Sequence, residues 1–194
     1  MVIESTPPDD PDREKLSIQR LPTSDLSDPE SLQRAVRYLM DRAEIMDVEY
    51  RWSSYQDHHD WDGLGGIFTD DVELHFPTGV HTGPDAVVTA LKELLTRQPG
   101  LRHRHVVWNH HLSIDGDRAH VYSVGAVFVS LSDAGGAARS GIAVGPYDRD
   151  FRRTSEGWKM CRVTAGAEWA DDNGGALVAD MFEANATLGS LSAS

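Results

Sequence analysis

The apolar residues of this chain change period once, at Pro99-Gly100, and that change restricts the fold more than any other feature. Before it, Leu32, Ala35, Val36, Leu39, Ala43, Ile45, Met46, Val48 and Tyr50 recur at three- and four-residue steps, the pattern of one long helix from Ser31 to about His58. Asp28 or Ser31 is its N-cap. Asp60 then caps a short helix through Leu64 and Phe68, and Asp70-Asp71 opens a strand that sets Val72, Leu74 and Phe76 against Glu73 and His75. Gly79, Gly83 and Pro84 mark turns, and Pro84 to Leu95 carries a third helical stripe.

Beyond Pro99-Gly100 the alternation has a period of two. Strands are expected over Arg102 to Ile114, Ala119 to Leu131, Gly141 to Arg153 and Trp158 to Trp169, with turns at Asp115-Gly116-Asp117, Asp133 to Gly136 and Ser155-Glu156-Gly157. Helices followed by an antiparallel meander make an α+β domain, with the leading helices covering one face of the sheet. We place this domain at residues 31–170. Residues 1–30, with five prolines and eight acids, read as a flexible acidic arm, and residues 171–194 as a tail with a short helix over Ala176 to Ala184.

The chain carries 18 basic and 31 acidic side chains, a net charge of -13. That sign argues against nucleic acid and anionic membrane surfaces as partners, since both recruit basic protein surfaces. The acidity sits at the ends: the arm carries 3 minus 8 and residues 170–194 carry 0 minus 4, which leaves -4 for the body. No apolar run reaches the roughly 18 residues of a membrane span. A single cysteine, Cys161, rules out an internal disulfide framework, and the expected compartment is the cytoplasm.

Nine histidines are present, and four of them fall between His103 and His111. On a regular strand His103, His105, Val107, Asn109 and His111 share one face. A histidine facing a pocket there can work near neutral pH. The His103/His105 pair resembles half of a metal site, but no carboxylate follows within the next few residues, so a metal is not the expected reading, with Asp57 or Glu168 left as a third ligand recruited from elsewhere. A second group, Tyr55 to Leu64, ends the first helix. Asp57 lies where the helix dipole disfavours negative charge and therefore needs a donor or cation.

These groups, with Phe68-Thr69-Asp70-Asp71-Val72, Gly83 before a helix, Arg104-His105 with Asn109, Asp115-Gly116-Asp117-Arg118-Ala119 and Gly157-Trp158-Lys159, resemble the SnoaL-like superfamily in order and spacing from Ser31 to Trp169. The resemblance implies the nuclear transport factor 2-like fold: a cone-shaped α+β barrel, helices packed on a strongly curved antiparallel sheet around one apolar pocket. Within the superfamily, scytalone dehydratase and the bile-acid dehydratases are the most informative likenesses. They imply an Asp57–His105 catalytic dyad in which His105 moves a proton beside a carbonyl and Asp57 orients and charges the imidazole. The chain departs from scytalone dehydratase where Gln56 and Phe76 replace two tyrosines, and where Val129 and Tyr147 fall near its second histidine and its asparagine. Candidates to line the pocket and bind substrate are Trp52, Tyr55, His75, Asn109, Tyr147 and Trp169. The expected activity is that of a cofactor-independent lyase, isomerase or cyclase on a hydrophobic, aromatic or polyketide-derived small molecule. A non-catalytic binding module on the same fold is the alternative, with a purely structural oligomer component as a third reading. Bulky residues on the outer sheet face, Arg102, Trp108 and Tyr122, suggest a homodimer or homotrimer.

Overall fold

The computed structural model describes residues 26–76, 79–132, 135–171, 174, 176 and 177. Residues 1–25 of the expected arm and most of the expected terminal helix lie outside them; the last residues assigned to the arm instead belong to the first helix, with Asp28 as its cap and Pro29 and Glu30 in its first turn. Helix α1 (Pro29–His58) starts where Asp28 accepts the Ser31 N–H at 2.8 Å, with proline in the first turn, and stops at His59 in the left-handed region, φ 57°. Helix α2 (Trp61–Gly66) is capped by Asp60, as expected. Then come β1 (Phe68–Phe76), β2 (Gly79–Thr82), α3 (Pro84–Thr96), β3 (Leu101–Asp115), β4 (Arg118–Ser132), β5 (Ala138–Thr154), β6 (Gly157–Ala165) and β7 (Trp169–Ala170). Among these residues no helix is long and apolar enough to cross a membrane.

The strands form one sheet in the order β2-β1-β6-β5-β4-β3, with β7 on β5 beside the end of β6. Strands β3 to β6 are the expected antiparallel meander. Two details differ. The turn region at Gly79 to Thr82 is itself a strand, antiparallel to β1, and β1 pairs with β6 in parallel, so the sheet is mixed. It curls without closing, since β2 and β3 remain its edges. The core fills the space between α1, α3 and the sheet with Ile45, Val48, Trp52, Leu64, Phe68, Val72, Leu74, Leu91, Phe151 and Met160, among others.

The face that α1 turns to the sheet is not the one its apolar residues suggested. Leu32, Val36, Leu39, Met40 and Tyr50 are exposed, while Asp41 and Glu49 are buried beside Ile45, Val48 and Trp52. Ionic anchors set the orientation. Arg153 grips Asp41 through two bonds of 2.7 Å, and the Trp158 indole N–H adds a third at 3.2 Å. Eight residues further along α1, Arg149 donates to Glu49 at 2.5 Å.

A second charge network occupies the opposite face of the sheet. His120 Nδ1 lies 2.8 Å from Asp150, and Arg162 donates to Asp150 at 2.6 Å and to Asp148 at 3.1 Å. Nearby, burial pushes the Cys161 thiol up, which keeps it protonated. The Asp150 contact holds the His120 imidazole above its ordinary value of 6.5. A raised folded-state value means the contribution is full below the unfolded value and fades as pH rises through the folded one. Replacement of His120 by Asn is therefore expected to lower the urea midpoint more at about pH 5.5 than at about pH 9. A deficit equal at both pH values would exclude a charged His120 as the cause.

Candidate active site

Three consecutive residues of β3 close on the last turn of α1. His103 Nε2 donates to the Gln56 carbonyl at 3.2 Å, and Arg104 donates to the Asp57 carbonyl at 2.8 Å. The His105 N–H reaches both Asp57 carboxylate oxygens at 3.1 Å, and His105 Nδ1 lies 2.8 Å from Oδ1. Because successive strand residues point to opposite faces, His103 and His105 approach from within the curl and Arg104 from outside. Carbonyls that a helix end leaves unpaired, and a carboxylate that its dipole disfavours, are thus satisfied together.

The geometry fixes the tautomer of His105. A carboxylate only accepts, so Nδ1 carries the hydrogen, and in the neutral ring the lone pair is on Nε2. The two side chains are 8% and 9% exposed, dry enough for the contact to act with little screening. Burial, ahead of the neighbouring imidazoles, pushes His103 down and keeps it neutral. Its ring stacks on His59, which in turn stacks on Trp61, with centroids 5.5 and 5.2 Å apart. Loss of the His103 bond in His103→Phe is expected to cost about 1 kcal/mol of stability. Chemical denaturation checks this, and an unchanged midpoint would show that the bond holds nothing.

The single inward face expected for β3 does not run its whole length. A bulge between Trp108 and His111 sets two residues against one of β4 and flips the alternation beyond it. Asn109, placed by sequence in the pocket, sits at the bulge with φ 56° and is exposed. His110 turns inward instead, 3.6 Å from Glu49, and His111 lies against the Tyr122 ring. Two further candidates lie elsewhere. His75 shares the outward side of β1 with Glu73, 3.0 Å away, and Trp169 is 59% exposed on β7. Tyr55 packs on the core and against Gly63 of α2. Trp52 and Tyr147 do lie inside the curl.

Between Trp52 and Tyr147 is a residue that sequence reasoning missed. The Arg149 guanidinium stands 4.4 Å from the Tyr147 ring and 5.7 Å from that of Trp52, and bonds Glu49 and Ser123. The expected purely apolar interior therefore carries a buried ion pair. The signal was present: Tyr147, Arg149 and Phe151 alternate on one strand face, and Glu49 is four residues after Ile45 and three before Trp52. Burial pushes the Tyr147 phenol up, so it remains a hydroxyl donor. Its ring lies over Gly125, where an added Cβ would fall 1.8 Å from a ring carbon. Gly125→Ala is expected to displace the ring and cost about 1–3 kcal/mol. Thermal unfolding measures the loss, and a wild-type midpoint would contradict this packing.

A cleft of about 540 Å³ opens beside the dyad, lined by Asp57, His59, His103, Arg102, Arg104, Phe128 and neighbours. Asp57, His103 and His105 also bring three donor atoms within 4.8 Å, as do His120, Asp148 and Asp150 on the other face. A cation in the first set would compete with the hydrogen bonds just described, and in the second with Arg162.

The sequence profile of the SnoaL-like domain matches residues 37–164, which span both halves of the dyad. The chain belongs to the SnoaL-like domain family. Comparison with curated proteins gives no match. Among solved structures, this SnoaL-like chain is similar to an NTF2-like protein with a cystatin-like fold from Novosphingobium aromaticivorans, at 21% identity and TM-score 0.62, covering 79% of this chain and 99% of that one. It is similar to a protein from the same organism named as a scytalone dehydratase, at 22% identity and TM-score 0.59, covering 70% and 89%. It is also similar to a type 2 hexachlorocyclohexane dehydrochlorinase, at 20% identity and TM-score 0.61, covering 70% and 90%. Such identities establish the shared NTF2-like fold.

Proposed function

We propose that this SnoaL-like protein is a cofactor-independent acid–base enzyme, with His105 and Asp57 as its catalytic pair. The observation that carries the reading is the 2.8 Å contact between His105 Nδ1 and Asp57, locked by the backbone bonds, which leaves Nε2 as the free base. In the elimination we envisage, Nε2 removes a proton from the carbon next to a carbonyl. The electron pair forms the double bond, the C–O bond to the departing hydroxyl breaks, and the imidazolium returns its proton so that water leaves. Asp57 stabilises the imidazolium while it exists. Two structural neighbours bear names that denote elimination, one of water and one of hydrogen chloride, which fits this reaction class. Isomerisation or cyclisation would use the same proton transfer. Trp52 and Tyr147 contribute the aromatic walls suited to a hydrophobic substrate.

We further propose a cytoplasmic homodimer or homotrimer, with the exposed Val106, Trp108 and Phe128 of the outer sheet face in the contact. The test of the catalytic reading is proton exchange from β-hydroxy ketones in D2O, followed by NMR, together with water loss. His105→Asn and Asp57→Asn are each expected to slow both by about 10²–10⁴-fold while the fold persists. Full activity in both variants would refute the dyad.

A further inference from the structure

We propose that Asp57, His103 and His105 form a binding site for a first-row divalent cation, zinc above all, and that the ion held there inhibits the protein. The metal site stands on the geometry of the three side chains, and only the inhibition rests on the catalytic reading.

Three donor atoms, one from each side chain, lie within 4.8 Å of one another. His105 Nδ1 is 2.8 Å from Asp57 Oδ1, and His103 Nε2 is 3.9 Å from the same oxygen. Tetrahedral bonds of about 2.0–2.1 Å place neighbouring donors about 3.3 Å apart, so each contact has to change by roughly half an ångström. Two imidazoles and a carboxylate are the donor set of an open zinc site, with a fourth position left for water. Calcium and magnesium, which take oxygen shells, do not suit it. Of the two carboxylates open to the histidine pair as a third ligand, the fold brings Asp57 to it and leaves Glu168 exposed.

The surroundings favour a cation. All three side chains are more than nine-tenths buried, and Asp57 and His103 also line the cleft, which gives an ion a way in. They stand at the C-terminal end of α1, the negative end of its dipole. Among the described residues no arginine or lysine contacts the Asp57 carboxylate: Arg104 donates to carbonyls, and His105 alone donates to the carboxylate. The His120, Asp148 and Asp150 set differs, because the Arg162 guanidinium already holds both of its acids.

Occupation would rearrange the hydrogens of the site. A metal bond made by His105 Nδ1 needs the lone pair there, so Nδ1 gives up its hydrogen and Nε2 takes one on, with no net proton gained or lost by the ring. His103 Nε2 likewise releases the Gln56 carbonyl, and the hydrogen of that ring moves to Nδ1. The atom proposed to remove the substrate proton then has no lone pair. The carboxylate that would stabilise the imidazolium is bound to the ion, which is thus an inhibitor and not a cofactor.

The probes are Zn2+, Co2+ and Mg2+, titrated at about pH 7.5 into the untagged full chain and into Asp57→Asn, His103→Gln and His120→Asn, each first shown by circular dichroism to be folded. Calorimetry is expected to show one Zn2+ bound, Co2+ to develop the visible bands of a four-coordinate site, and Mg2+ to compete with neither. Asp57→Asn and His103→Gln should each weaken Zn2+ binding by more than about tenfold, and His120→Asn should leave it unchanged. Long-range nitrogen–proton NMR spectra should show the His105 hydrogen pass from Nδ1 to Nε2 as Zn2+ is added. Absence of saturable Zn2+ binding, equal binding of Mg2+, full affinity in both ligand variants, or a His105 tautomer indifferent to Zn2+ would overturn the proposal. Zn2+ should also halt proton exchange from β-hydroxy ketones, and EDTA should restore it. If the catalytic reading fails there is no exchange to halt, while calorimetry and NMR still decide the metal site.

Discussion

Arg149 and Glu49 form an ion pair shut away from water, and the position of helix α1 on the sheet turns on it. Taking two charges out of water is costly, and the cost is recovered only when they meet in good geometry. Rotation of α1 about its axis, or a slide along the sheet, would part them. The pair thus acts as a locating pin rather than as a source of net stability. Asp41 on Arg153 and Asp57 on β3 complete the set, so that three acids at eight-residue steps, from the middle of the helix to its last turn, meet the sheet.

The reactive geometry follows from that placement. Asp57 can meet the His105 backbone and imidazole together only because its turn is held from two sides, by His103 and by Arg104. His103, buried and neutral, contributes a hydrogen bond without adding charge beside the dyad. The same stretch of β3 thereby closes the helix and carries His105, the base of the proposed reaction.

Much of this was legible in the sequence. The change from helical to two-residue period located the helices and the meander, and the need of Asp57 for a donor anticipated its meeting with β3. What failed did so for identifiable reasons. Apolar periodicity gave the wrong face of α1 because ionic anchors, which hydrophobic patterning does not weigh, decide its orientation. Asn109 and His110 exchanged places because a bulge is a change in strand phase, and no glycine or proline marks it in this sequence. Arg149 was overlooked because a lone arginine reads as solvated until an acid on a different element is known to face it. The parallel β1–β6 pairing joins residues far apart in the chain, which local patterns do not report.

The bulge in β3 has a consequence for how this strand can vary. With the extra residue, His103 and His105 face inward on one side of it and Leu112 and Ile114 face inward on the other. Without it, one of the two sets would be turned out to solvent. The number of residues between His105 and Leu112 is therefore a matter of parity. Changes of length in that interval preserve both the dyad and the core only in steps of two, as on a rack whose teeth must engage the same gear at either end.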